Sequence, residues 1–299
     1  MKNKIIVIGS SNTDMTVTAP SLPAPGETVI GDCFKMGPGG KGANQAVAAK
    51  RLGAPVSFVC KLGKDIFGDN ALRTYDKEGL DTEAVLRTDT PSGVALITVD
   101  ADAENCIVVA SGANAEMTPG DIDGIKHKIE ESSVLLMQLE VPVETVARAA
   151  RIARGAGVKV VLNPAPACPL DGDLLSDTDI LVPNEHEAAL LTGIDVTDEA
   201  SAVAAARALQ ETGVKDVIVT LGSKGSLVCC GGLAPVMVPA IKVEAVDTTA
   251  AGDTFCGALC VALTEGKDLV EAARFATRAA AVTVQRLGAQ EATPYRQEI

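Results

Sequence analysis

Two segments rich in small residues combine glycine, lysine and aspartate where a helix is predicted to begin. The first, Gly37–Asn44, contains four glycines and Lys41. Glycine lets a ligand approach the backbone closely, and a helix N-terminus favours oxygen-rich ligands. The segment is not a Walker A loop, because Gly and Ala rather than Ser or Thr follow Lys41. It predicts either an anion-binding turn or a glycine-rich turn without a ligand.

The second segment, Val246–Phe255, runs from an apolar strand end into an Ala-rich helix that is predicted to begin near Gly252. The first-turn N–H groups from Ala250 to Asp253 would point into open space and make a cavity for a phosphoryl group as it gains negative charge. Asp253 either takes a proton from an attacking hydroxyl or acts only as a helix cap.

Other predicted strands also end at polar side chains. Asn12 and Asp14 follow the first strand and suit sugar hydroxyls, although both residue types also form turns. Asn184 and Glu187 open a helix and share one face, so they either help to hold the waters of Mg²⁺ or only cap that helix. Glu140 follows a further strand. Ligands of α/β proteins bind at this carboxyl edge of the sheet.

The turn from Thr220 to Gly225 also follows a predicted strand. It contains Gly222 and Ser223, and it either cradles a nucleotide or forms a plain hairpin turn.

Short apolar runs alternate with helical patterns along the chain, which predicts an α/β fold with a mostly parallel sheet between helices. The predicted strands are Ile5–Ile8, Val56–Leu62, Val134–Leu139, Val158–Leu162, Ile180–Val182 and Val217–Leu221. The predicted helices are Asn44–Leu52, Ala71–Glu78, Val143–Arg154, Glu185–Leu191, Ala200–Thr212, Gly252–Leu263 and Leu269–Val284.

Two segments interrupt this alternation. Thr16–Phe34 is rich in Pro and Gly, and Val94–Ala110 is typical of two strands around the polar turn Asp100–Asn105. They predict either a small separate sheet that acts as a lid or an ordinary peripheral hairpin.

Composition narrows the possible partners. The net charge of −13 disfavours nucleic acid and membrane surfaces, but a local site can still bind ATP. The eight cysteines, without a CxxC pair, are typical of a reduced cytoplasmic protein, and we expect Cys256 and Cys260 to be packing residues. The N-terminal apolar run is too short for a signal peptide, and no stretch approaches a membrane span, which also favours the cytoplasm.

With these motifs in place, the whole chain resembles the ribokinase (PfkB) family of carbohydrate kinases. Gly39–Ala49 is similar to the N-terminal signature of the family, and Asp247–Gly257 to its C-terminal signature. Gln138–Glu140 and Asn163–Ala167 resemble the ribose-phosphorylating members. The resemblance implies one three-layer αβα domain over residues 1–299, with a β-sheet lid from about 14–35 and 93–110.

The resemblance also implies roles for single residues. Asp253 would be the base in the transfer of phosphate from ATP to O5 of D-ribose, and Ala250, Ala251 and Gly252 would form the anion hole. Glu187 would place Mg²⁺ through water. The implied sugar ligands are Asn12, Asp14, Gly40, Lys41, Asn44, Glu140 and Asp247. The implied nucleotide site contains Asn184, Thr220, Gly222, Ser223, Gly225, Gly252 and Thr277.

Two further expectations come from the resemblance. One is activation by K⁺, with backbone carbonyl oxygens as most of its ligands. The matching positions are Asp247, Thr249, Thr283, Arg286, Gly288 and Ala292, where Ala292 replaces a frequent serine. The other is a homodimer that forms through the lids of two subunits.

Three alternatives remain at this stage. A related kinase for fructose, a keto-deoxy sugar acid or a nucleoside would use the same fold. A dinucleotide-dependent oxidoreductase is disfavoured because only Gly9 of a GxGxxG motif is present. A non-catalytic sugar sensor would be expected to lack Asp253.

Overall fold

The computed structural model describes residues 3–102 and 104–299. Its centre is an eight-stranded sheet in the order β14-β13-β12-β11-β10-β9-β1-β4. In chain order the strands are β1 (Ile5–Ile8), β4 (Val56–Val59), β9 (Val134–Met137), β10 (Lys159–Leu162), β11 (Ile180–Leu181), β12 (Asp216–Thr220), β13 (Gly225–Cys229) and β14 (Val236–Pro239). The six strands from β12 to β4 are parallel to one another.

The parallel strands are apolar on both faces because helices cover both sides of the sheet. Along β1, Ile5 and Val7 point into one hydrophobic core, and Ile6 and Ile8 point into the other. This burial accounts for the continuous apolar runs in the sequence.

Helices form the two outer layers. The helices are α1 (Lys41–Arg51), α2 (Ile66–Glu78), α3 (Pro119–Gly124), α4 (Lys126–Glu130), α5 (Val143–Gly155), α6 (Gly172–Ser176), α7 (Glu185–Thr192), α8 (Glu199–Glu211), α9 (Ala251–Thr264) and α10 (Leu269–Thr283). Helices α1, α2, α9 and α10 contribute to the first core, and α3 to α8 contribute to the second. The predicted three-layer αβα class is therefore confirmed.

A separate four-stranded sheet lies beside this body, so the expectation of an ordinary peripheral hairpin is wrong. Its strand order is β3-β2-β7-β8. The strands are β2 (Asn12–Thr18), β3 (Cys33–Gly39), β7 (Gly93–Val99) and β8 (Asn105–Ala110). Residue 103, in the predicted turn Asp100–Asn105, lies outside the described residues.

One predicted strand, Val56–Leu62, is two strands. After β4 the chain continues as β5 (Lys61–Gly63), which pairs with β6 (Leu86–Thr88) in a small sheet. The change of partner occurs at Cys60: the carbonyl of Val59 still accepts from Gly9, whereas the carbonyl of Cys60 accepts from Leu86. An unbroken apolar run in the sequence does not reveal such a change of hydrogen-bonded partner strand.

The antiparallel extension of the main sheet by β13 and β14 was not predicted. Residues Gly222–Lys224 form a 3₁₀ turn that joins β12 to β13, with Thr220 opposite Ser226. The Thr220–Gly225 segment is therefore a hairpin turn, as the plainer interpretation expected. None of the helices in the described part of the chain has the length and apolar character needed to cross a membrane.

Candidate active site

A cleft of about 230 Å³ opens at the carboxyl ends of the parallel strands. Residues from the ends of β10, β11 and β12 meet the N-termini of α1, α7 and α9 there. Its lining residues are Lys41, Asn163, Ala165, Val182, Asn184, Glu187, Thr220, Thr248, Ala250, Gly252, Asp253 and Cys256. The sequence motifs from three predicted strand ends thus share one cavity.

Asp253 lies in the first turn of α9 but does not cap it. Instead its Oδ2 accepts a hydrogen bond from Asn44 Nδ2 at 2.9 Å, and its Oδ1 accepts one from Gln45 Nε2 at 3.0 Å. The carboxylate is only 7% exposed and lines the cleft. The cap alternative for Asp253 is therefore wrong, because amide groups of α1 fix this side chain.

The turn before α9 has an unusual backbone. Ala250 has a φ of 58°, in the left-handed region that alanine seldom occupies. The N–H of Ala251 donates to the carbonyl of Thr248 at 3.2 Å, so this group is already used within the turn. Space around Gly252 is open, since a β-carbon there would meet no atom within 4 Å. The open N-terminus of this 14-residue helix suits an anionic group.

Lys41 supplies positive charge at the cleft. Burial works against its ionisation, but the nearby carboxylates of Asp253, Glu140 and Glu187 raise the pKa of Lys41 above its usual value. The side chain therefore stays protonated at neutral pH. A half-buried ammonium group beside a helix N-terminus is well suited to bind phosphate oxygens.

Several of the residues predicted to bind a sugar lie where the small sheet joins the main body. Asn12 Oδ1 accepts from Asn114 Nδ2 at 2.7 Å, and Glu140 accepts from Ser10 Oγ at 2.5 Å and from the backbone N–H of Lys41 at 3.1 Å. Gly40 has a φ of 89°, and a β-carbon there would press against the backbone of Asn12, so glycine is required.

Asp14 lies over Gly39, where a β-carbon would overlap its carboxylate. Burial, followed by the negative charges of Glu140 and Asp253, raises the pKa of Asp14 to about 6. The carboxyl group thus changes its charge close to neutral pH.

Asn184 and Glu187 form a reciprocal capping box at the start of α7. Glu187 N–H donates to Asn184 Oδ1 at 2.8 Å, and Asn184 N–H donates to Glu187 Oε2 at 2.9 Å. The capped-helix interpretation is confirmed, yet both residues also line the cleft. Burial raises the pKa of Glu187, although the hydrogen bond from Asn184 opposes this.

The remaining residues predicted to bind the nucleotide lie partly in the cleft lining and partly outside it. Thr220 lines the cleft, and a β-bridge joins it to Asn184. Gly222, Ser223 and Gly225 lie in the adjoining turn between β12 and β13. Thr277 lies on α10, outside the cleft lining, where its hydroxyl bonds to the carbonyl of Ala273.

Hydrogen bonds connect only some of the six residues predicted to bind a monovalent cation. Asp247 accepts hydrogen bonds from the N–H groups of Thr249 and Gly288, both at 2.9 Å. The Thr283 hydroxyl instead bonds to Thr254, and Arg286 pairs with Glu298. Ala292, the last of the six positions, is fully buried. Among these six positions, the carboxylate of Asp247 is the side chain whose oxygen atoms best suit a hard cation.

Sequence reasoning missed several residues of the site. Gln45 contacts Asp253 directly, Asn163 and Thr248 line the cleft, and Asn114 holds Asn12. Asn163 follows β10, so the rule that placed Glu140 at a strand end could have found it. Asn114 carries no such signal, because it meets Asn12 only through the fold.

Comparison with known proteins identifies what the chain is similar to. The model of the pfkB family carbohydrate kinases matches residues 2–296. A ribokinase from Haemophilus influenzae is 46% identical over 299 residues, covering 100% of this chain and 97% of the relative. A deoxyribokinase from Salmonella typhi is 40% identical, covering 97% and 95%. The solved structure of Arabidopsis thaliana ribokinase complexed with ribose and ATP has a TM-score of 0.93 at 35% identity, covering 100% and 97%.

Proposed function

This chain belongs to the pfkB family of carbohydrate kinases, and from that premise we propose that it transfers the γ-phosphoryl group of ATP to O5 of D-ribose. The observation that carries the proposal is the position of Asp253. Its carboxylate is held by two amide groups in a cleft that also contains Lys41 and the open N-terminus of α9. Such a site provides a base next to groups that stabilise phosphate charge.

The sugar is proposed to bind between the main body and the small sheet. Asn12, Asp14 and Glu140 supply polar groups there, with Asn44, Lys41, Gly40 and Asp247 as the further proposed ligands. These groups offer hydrogen bonds and little apolar surface, which favours a small polyhydroxy substrate over a nucleoside. A site built from such bonds discriminates by ~10⁴-fold or more against a sugar that leaves its groups unpaired.

In the proposed transfer, the sugar oxygen attacks the γ-phosphorus in line while Asp253 accepts the hydroxyl proton. The new bond joins O5 to phosphorus, the bond from phosphorus to the β–γ bridging oxygen breaks, and ADP leaves. Lys41 and the backbone N–H groups of Ala250 and Gly252 stabilise charge on the transferring group, and the N–H of Ala251 joins them when it leaves the carbonyl of Thr248.

Metal ions complete this proposal. Glu187, buried and lining the cleft, fits a role in holding the water ligands of Mg²⁺, which would neutralise phosphate charge. Asp247, whose carboxylate contacts the backbone of Thr249 and Gly288, is the proposed centre of a site for a monovalent cation such as K⁺. We place the nucleotide along Asn184, Thr220 and the Gly222–Gly225 turn, with Thr277 towards its base. The free state of all eight cysteines supports a cytoplasmic location.

The function is tested by Mg·ATP-dependent phosphorylation of a sugar panel. The panel contains ribose, 2-deoxyribose, fructose, a keto-deoxy sugar acid and adenosine, each with and without K⁺. We expect the highest kcat/KM on ribose and a further rise with K⁺. Deoxyribose is included because of the deoxyribokinase relative, and preference for it would overturn the substrate assignment. No ATP consumption with any acceptor would overturn the kinase itself.

Asp14 predicts a pH dependence of sugar binding. Its pKa of about 6 means that the carboxylate, as the stronger acceptor for sugar hydroxyls, is lost as the pH falls through this value. We expect the KM for ribose to rise on acidification, whereas in Asp14→Asn it is high at every pH. Steady-state kinetics at saturating Mg·ATP measure this, and a KM for ribose that is constant below neutrality would contradict it.

Stability gives an independent control on Asp14. Because its folded pKa lies above the ordinary 3.8, ionised Asp14 destabilises the folded protein above about pH 6, and this cost disappears as the pH falls towards 3.8. Asp14→Asn should therefore raise the melting temperature at alkaline pH and have a smaller effect in acid.

The small sheet is proposed to act as a lid and as the contact of a homodimer. Cross-strand pairing places Met15, Met36, Leu96 and Val108 on one face, opposite to the face of Asp14. Met36, Leu96 and Val108 are each more than half exposed. An apolar row across four strands is suited to a second copy of the same sheet.

A charge on this row should separate the subunits. We expect the parent protein to sediment as a dimer and Leu96→Asp as a monomer with unchanged circular dichroism, because an isolated buried carboxylate is costly. Leu233→Asp is the matched control, since this exposed leucine lies in the turn between β13 and β14. A monomeric parent, or a dimeric Leu96→Asp variant, would overturn the interface.

A further inference from the structure

A connected group of buried amide side chains surrounds Asp253. Gln45 and Gln138 are 0% exposed, and Gln290 is 2% exposed. Gln290 donates to Asn44 at 3.2 Å, and Gln138 donates to Gln45. Burying an amide is unfavourable unless its hydrogen bonds are replaced, so such a group needs a reason beyond packing.

The orientation of the Gln45 amide is fixed by partners from three segments of the chain: α9 and the residues that directly follow β9 and β10. Its Nε2 donates to Asp253 Oδ1 at 3.0 Å and to Asn163 Oδ1 at 3.1 Å, and its Oε1 accepts from Gln138. Asn163 is oriented in turn by its own donation to the carbonyl of Val182 at 2.9 Å. A flipped amide would place oxygen against oxygen at two contacts, so Gln45 presents an N–H group to Asp253.

The two carboxylate oxygens of Asp253 therefore differ. Oδ1 faces the fully buried Gln45, whereas Oδ2 faces Asn44, which is a proposed sugar ligand. Building on the proposed function, we propose that Gln45 is a positioning residue that holds Asp253 through Oδ1, so that Oδ2 is the atom that takes the proton from the sugar hydroxyl.

This role predicts how the activity depends on pH. A hydrogen bond donated to a carboxylate stabilises its ionised form, so removing the donor favours the protonated acid. The acidic limb of the kcat profile at saturating ribose should then move to higher pH, because Asp253 must be ionised to act as the base, whereas Asp14 acts on the KM for ribose. The other ionisable groups around Asp253 are Asp14, Lys41, Glu187 and Cys256, and all of them are retained in the variants below.

The test compares Gln45→Met, which keeps the side-chain length without a donor, with the isosteric Gln45→Glu. We expect both to lower kcat by ~10–100-fold through misplacement of the base, with KM values close to those of the parent. The acidic limb should rise by about one pH unit in Gln45→Met and further in Gln45→Glu, where a second carboxylate faces Asp253.

Thr145→Val is the matched control for lost stability. In the parent protein the hydroxyl of Thr145 is buried and donates to the carbonyl of Met117 at 2.7 Å, in the core on the other face of the sheet. The Thr145→Val variant should have a lower melting temperature but the same acidic limb of the pH profile as the parent. If Gln45→Met does not fold, the Gln45→Glu profile decides alone.

An unchanged acidic limb and kcat in the folded Gln45 variants, with only a lower melting temperature, would overturn the inference and leave Gln45 as a structural bridge. Asp253→Asn is measured in parallel. If Asp253→Asn is inactive, unaffected Gln45 variants contradict the role of Gln45 alone, whereas full turnover by Asp253→Asn would also remove Asp253 as the base.

Discussion

Replacing Asp253 with asparagine is expected to lower kcat by ~10²–10⁴-fold or more, because the variant has no group that can accept the sugar proton. The substitution keeps the shape of the side chain. Its amide nitrogen must face either Asn44 or Gln45, both of which donate to the present carboxylate, so one hydrogen bond is also lost. Steady-state kinetics with Mg·ATP and ribose measure the loss.

Binding and folding must be shown to survive in this variant. Calorimetric titration with ribose should still detect the sugar, since most of its proposed ligands are unchanged. Asp268→Asn is the matched control: Asp268 caps α10 by accepting from Glu271, and asparagine caps a helix equally well. We expect that control to retain parental turnover. Near-normal turnover by a folded Asp253→Asn protein would remove Asp253 as the base.

Adding one methyl group at Gly257 is expected to reduce activity from outside the cleft. Gly257 lies one turn beyond Asp253 on α9, and a β-carbon there would lie 2.8 Å from both Ala48 Cβ and the carbonyl oxygen of Gln45. Helix α9 must then move away from α1, which carries the two amides that hold Asp253. We expect Gly257→Ala to lower kcat by ~10²-fold and stability by about 1–3 kcal/mol.

Kinetics and thermal unfolding test this prediction together. Gly155→Ala at the end of α5 is the control, since a β-carbon there would meet no atom within 4 Å. It should leave turnover unchanged and stability equal or slightly higher. If Gly257→Ala matched that control in both measurements, close approach of α1 and α9 would not be what places Asp253.

Much of the fold followed from residue patterns. Continuous apolar runs predicted the parallel strands, because helices on both faces bury every side chain of β1. Glycine marked helix ends, as at Gly79, where the backbone is left-handed. The division of Val56–Leu62 into β4 and β5 could not be predicted, because it depends on which distant strand donates a hydrogen bond to the carbonyl of Cys60.

In the candidate site, too, some residues were predictable from the sequence and others were not. Strand ends and helix starts predicted Asp253, Lys41 and Glu187, since those positions are local properties of the chain. Gln45 was missed because nothing in its helix distinguishes it from an ordinary polar residue. Its significance arises from contact with Asp253, 208 residues away in the chain.

By itself, then, the sequence determined the α/β class, the edge of the sheet where ligands would bind and the residues that could act there, because these depend on local periodicity and chain direction. Tertiary structure alone decided which amides hold Asp253, which carboxylate oxygen faces Asn44 and why Asp14 has a pKa of about 6. The physical reason is that hydrogen-bond partners, burial and charge proximity depend on distances between segments, which only the packed chain defines.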